Sequence, residues 1–99
     1  MITEKVQLKN EQAEGFVIPL GSLNLVGVVT DIGMVGCGAF DISALDSFSY
    51  PAARVRSEKG GPIATVDDLL SGIIKDANDG AIKREVRVGM TGREALDLL

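Results

Sequence analysis

One cysteine, Cys37, stands between Gly36 and Gly38 and four residues before Asp41. A thiol flanked by glycines is sterically open, and a helix starting after Asp41 would favour its thiolate. The Asp41 carboxylate acts the other way, because it disfavours a second negative charge nearby. Gly36-Cys37-Gly38-Ala39-Phe40-Asp41 also reads as G-x-G-x-x, but Asp41 stands where a dinucleotide fingerprint needs Gly or Ala. A second constellation is Gly89-Met90-Thr91-Gly92-Arg93-Glu94. Backbone N–H groups at a helix start attract anions, Gly92 would admit a ligand, and Arg93 would add a charge-assisted contact. Against that, Thr91 and Glu94 have the spacing of a capping box, which uses the same donors. Asp67-Asp68 and Asp76/Asp79 are carboxylate pairs; the second, one turn apart, has the spacing to share a cation, but the simplest role of both is as solvated helix caps.

The missing residue types narrow the chemistry further. The chain has no histidine, hence no imidazole base, no Ser–His or Cys–His pair and no imidazole metal ligand. With one cysteine as well, a zinc site within one chain is ruled out, and no metal or other cofactor is expected. The two candidate segments therefore point to a small-molecule or anionic ligand. Catalysis centred on Cys37 is the alternative.

Ninety-nine residues make one domain. Apolar residues at 45% and charged residues at 24% suit a globular core. Net charge is −4, carried by residues 1–49, while residues 50–99 balance. No basic stripe with interleaved aromatics exists, so nucleic acid is not an expected partner. Arg54–Lys59, the one local basic cluster, reads as a solvated edge. A single cysteine forms no internal disulfide, and no apolar run is long enough to span a membrane. The expectation is a soluble, cytoplasmic protein without a membrane partner.

These candidates need elements to hold them. Ile2, Val6 and Leu8 alternate with polar residues, which predicts a strand. Asn10–Gly15 then turns into a second strand with Phe16, Ile18 and Leu20 on one face, and Pro19 marks a free edge. Residues 23–30 are apolar on both faces, as in a layered fold or a subunit contact. Asp31-Ile32-Gly33 turns the chain into a paired strand at Met34–Phe40. Asp41 caps a helix to Phe48 with Ile42, Leu45 and Phe48 inward, and Ala53–Arg56 is a short strand. Thr65 opens a helix with an apolar stripe from Val66 to Ile74, and Gly72 would stop it and leave Ile73-Ile74 extended. A short helix over 76–85, capped by Asp76 or Asn78, precedes a strand at Val86–Val88. A last helix from Thr91 buries Ala95, Leu96 and Leu99. Strands cluster first and helices later, which predicts an α+β domain with an antiparallel or mixed sheet of about five strands and about three short helices.

GCGAFD at 36–41, TVDDLL at 65–70, AND at 77–79 and VGMTGREAL at 88–96 together resemble the YunC-like family, a domain of unknown function. The resemblance implies a compact α+β domain, with the N-terminal strands (residues 1–24) mediating self-association as a homo-oligomer. It also implies a helix-ending glycine at position 85, where this chain has Glu85. It brings no reaction. The combined expectation is a homo-oligomeric binding or regulatory module without catalysis.

Overall fold

A computed structural model describes all residues from Met1 to Leu99. Six strands form one sheet in sequence order: β1 (Ile2–Gln7), β2 (Gln12–Pro19), β3 (Asn24–Val29), β4 (Met34–Gly36), β5 (Ala52–Arg56) and β6 (Ile73–Ala77). All neighbours are antiparallel except β4 and β5, which are parallel. That pair needs a crossover, and α1 (Ile42–Asp46) supplies it. The remaining helices are α2 (Val66–Ser71), α3 (Asp79–Lys83) and α4 (Gly92–Leu98). The α+β class agrees with the sequence expectation, with one more strand and one more helix than expected.

The extra strand begins at Ile73-Ile74, the pair expected to be left extended once Gly72 stops α2. Gly72 ends α2 in an extended conformation (φ −68°, ψ 170°), so Ile73 begins β6 and pairs with Arg56. The strand expected at Val86–Val88 is instead a helix stop. The N–H of Val86 donates to Ala81 O and that of Glu85 to Ile82 O, which together make a Schellman closure. Glu85 sits at φ +75°, the left-handed position such a closure requires, which accounts for the glycine expected there. Val86 is buried as part of the closure, while Val88 is exposed.

Strand alternation sends Val26, Val28, Val35, Val55 and Ile74 to one face of the sheet. Leu69, Ala81 and Leu96 from the later helices cover that face. A smaller cluster on the other face joins Met34 and Ala52 to Ile42 of α1. Phe48, expected inward, is 80% exposed because α1 ends at Asp46 and the chain turns through Ser49 at φ 59°. Pro19 pairs with Asn24 of β3 and lies beyond the register of β1, so its missing donor faces no strand.

Candidate functional site

The strand expected over Met34–Phe40 stops at Gly36, because the chain folds back so that the Phe40 N–H bonds Cys37 O, and residues 37–41 form the turn into α1. The Cys37 N–H donates to Val26 O at 3.0 Å, and the Phe40 N–H donates to Cys37 O at 3.3 Å. Cys37 is a free thiol, 7% exposed. A Cβ at Gly36 would collide with the Phe40 ring, so glycine there seats that ring. Phe40 in turn meets Phe16 edge-on, with centroids 6.2 Å apart. Gly38 differs. It is exposed, and the nearest atom to an added Cβ is the Lys75 Nζ at 3.3 Å, the end of a flexible side chain. Asp41 is the N-cap of α1 and accepts from the Ala44 N–H at 2.9 Å.

Arg54 holds this turn in place. Its Nη1 donates to the carbonyls of Gly38 and Phe40, each at 3.2 Å, while Nε and Nη2 form a fork on the Asp76 carboxylate. The hydrogen bond from Arg54 holds the Asp76 carboxyl below its ordinary value, with partial burial opposing. This contribution to stability is present above the unfolded carboxyl value and is lost as pH falls through the lowered folded value. Asn78 anchors the other side. Its Oδ1 accepts from the Ala52 and Ala81 N–H groups, and its Nδ2 donates to the Ile42 and Tyr50 carbonyls. Four bonds from one buried amide thus tie β5, α1 and α3 together.

Sequence reasoning missed both of these residues as parts of the site. Arg54 read as a solvated edge, because its partner Asp76 comes from a strand that only the end of α2 reveals. Asn78 carried a visible capping signal, but nothing in the sequence showed its bonds to Ile42, Tyr50 and Ala52.

The Gly89–Glu94 segment lies elsewhere. Gly89, at φ +98°, donates its N–H to Ile74 O. Thr91 and Glu94 form the reciprocal capping box, at 3.1 and 2.9 Å. The Gly92 N–H donates to Gly72 O, and a Cβ there would collide with Leu69 O. Arg93 Nη1 donates to Gln7 O at 2.9 Å, closing α4 onto β1. Of the carboxylate pairs, Asp68 completes a capping box with Thr65, Asp67 is exposed in the first turn of α2, and Asp79 opens α3. Asp76 is held by Arg54.

Two depressions adjoin the Gly36–Asp41 turn and share Gly38 and Ala39. One, of about 350 Å³, is lined by Arg54, Asp76, Asn78 and Asp41. The other, of about 690 Å³, is lined by Cys37, Arg56, Lys59, Lys75 and Glu58 among others. Neither includes a residue from 89–94, so the two sequence candidates do not meet in one cleft.

Residues 36–99 match the family model described as Domain of unknown function (DUF1805). The chain belongs to that family. The DUF1805 match starts at the glycine that seats Phe40 and runs through α4, so it includes both candidate segments. Among related proteins, the Uncharacterized protein YunC of Bacillus subtilis (strain 168) is 28% identical over 91 residues, which cover 92% of this chain and 89% of YunC. That alignment extends beyond the DUF1805 match into the N-terminal hairpin. The crystal structure of a protein of unknown function, TA1206 from Thermoplasma acidophilum, superposes with a TM-score of 0.85 at 22% identity. It covers 97% of this chain and 89% of that one, and shows the same fold. No helix of the DUF1805 protein is long and apolar enough to cross a membrane.

Proposed function

We propose that the chain is a small, self-associating cytoplasmic binding module that carries out no reaction of its own. The observation that carries this reading is the state of Cys37: 7% exposed, with its backbone bonded on both sides and no histidine in the chain to act on it. The other side chains a reaction would recruit are already engaged. Asp41 and Thr91 cap helices, Glu94 closes its capping box, and Arg93 bonds the Gln7 carbonyl.

Self-association is supported by the outer face of β2 and β3. Ile18 and Leu25 are half-buried there, on the side of the sheet opposite α2 and α4, beside Phe16 and Val29, which pack against Phe40 and the Met34 cluster. Leu20 and Leu23 stand exposed at the β2–β3 hairpin, at 52% and 55%. Apolar surface gathered this way marks contact sites on soluble proteins. The lone thiol fits a reducing compartment.

One observation favours a thiol-centred alternative: Cys37 lines the wider depression together with Lys75. The Cys37→Ala variant separates the two readings. It is expected to fold, to keep the wild-type assembly mass by light scattering, and to retain ligand affinity within about tenfold, a change near 1.4 kcal/mol. A folded variant that loses more than that would show that the thiol takes part in the function.

A further inference from the structure

The chain makes three side-chain ion pairs: Lys5–Glu14, Arg54–Asp76 and Arg87–Glu85. Seven of its ten basic side chains are therefore without a carboxylate partner. Three of the seven, Arg56, Lys59 and Lys75, line the same depression of about 690 Å³, where Glu58 is the one carboxylate. This concentration of positive charge occurs in a chain of net charge −4. Three exposed cations on the wall of one depression raise the local concentration of an anion there.

Two further features point the same way. The N–H groups of Gly38 and Ala39, residues that line both depressions, donate to no acceptor in the chain. Packing explains glycine at 36 and at 92, but above Gly38 only the Lys75 ammonium approaches. Leu23, Val55 and Ile63 add apolar surface to a wall that also carries Asn24 and Ser57. A volume of this size suits a small organic molecule.

We infer that this depression binds a small organic anion, with a doubly charged head held by Arg56, Lys75 and Lys59 and an apolar or planar body against Leu23 and Ile63. The inference rests on the reading of the chain as a binding module, and it names the ligand class. Lys75 and the Gly38–Ala39 N–H groups approach the head from the turn side. Arg56 and Lys59 approach it from the end of β5 and the loop that follows.

Phenyl phosphate is a suitable probe, followed by amide chemical shifts of the full chain. Saturable movement of the Gly38, Ala39 and Gly61 signals is expected, with a Kd of about 1 mM or tighter. Inorganic phosphate should bind more weakly, phenol should leave these signals in place, and added salt should weaken the complex. The double variant Arg56→Ala/Lys75→Ala alters two exposed side chains that make no hydrogen bond within the chain. It should keep the fold and lose at least about tenfold in affinity. No saturable shift by about 10 mM, or unchanged affinity in the double variant, would overturn the proposed ligand class. Release of phenol from the probe by the wild-type chain would overturn the non-catalytic reading and leave the ligand class standing.

Discussion

Replacing Asn78 with leucine is expected to destabilise the fold by about 4 kcal/mol, read as a lower urea midpoint with little change in slope. Leucine keeps the number of heavy atoms but is bulkier than the planar amide, so crowding at this buried site adds to the loss of hydrogen bonding. The amide is satisfied on both sides: its oxygen faces two N–H donors and its nitrogen two carbonyls, all between 2.9 and 3.0 Å. That arrangement also fixes its orientation, since a flipped amide would oppose like groups. Leucine leaves four backbone groups short of a partner, and a buried group without one costs about 1–3 kcal/mol. Domains of this size have roughly 5–15 kcal/mol of stability in total. Asn78→Asp should be comparably damaging at neutral pH, because a carboxylate would face the Ile42 and Tyr50 carbonyls. Its deficit relative to wild type should shrink near about pH 4, where the acid is protonated and donates one bond. An Asn78→Leu variant within about 1 kcal/mol of wild type would show that the amide does not hold α1, β5 and α3 together.

Gly92→Ala tests the other end of the molecule. Helix propensity alone predicts a gain of about 1 kcal/mol for alanine inside a helix. The structure predicts the opposite sign, because the new methyl would collide with Leu69 O, a backbone atom at the α2–α4 contact. Moving α4 away would stretch the Gly92 N–H bond to Gly72 O and the bridge between Thr91 and Ile73. A net loss of about 2–3 kcal/mol is expected, in the range of overpacked cores. Gly38→Ala is the comparison, with open space apart from the Lys75 ammonium and an expected change within about 0.5 kcal/mol. Equal effects at the two positions would contradict the division between a packing glycine and a cleft glycine.

How far the molecule was legible in its sequence follows from the range of the interactions. Local signals read well. The Asp41 cap, the Thr91–Glu94 box and the break at Gly72 each depend on residues within one turn, and each appears in the structure. The strands of the first hairpin and the two-faced strand at 23–30 appear as β1 to β3, but Ile2 is exposed and β2 buries Ala13, Gly15 and Val17 rather than the face of Phe16, Ile18 and Leu20. Val86–Val88 misled, because an apolar–polar–apolar triplet is equally the tail of a Schellman closure, which buries the first valine only. Glu85 shows the reverse: the family resemblance marked a glycine position, and the backbone there is left-handed.

The site was less legible, because its parts come together across the sheet. Arg54 of β5 reaches Gly38 and Phe40 in the turn and Asp76 in β6, and no spacing in the chain encodes that. The gathering of Arg56, Lys59 and Lys75 likewise depends on the β5–β6 pairing. The glycines of the two candidate segments looked alike in sequence. They separate once the Phe40 ring and the Leu69 carbonyl are in place.

The account turns on Cys37 being a packed residue, and alkylation of the native chain tests that most directly. The labelling rate at neutral pH would be followed by mass spectrometry beside a urea-unfolded control and a free thiol. A sulfur 7% exposed should label roughly a hundredfold more slowly than the free thiol and reach its rate only when the chain unfolds. Native labelling as fast as the free thiol, or faster, would contradict a packed Cys37 and favour the thiol-centred alternative.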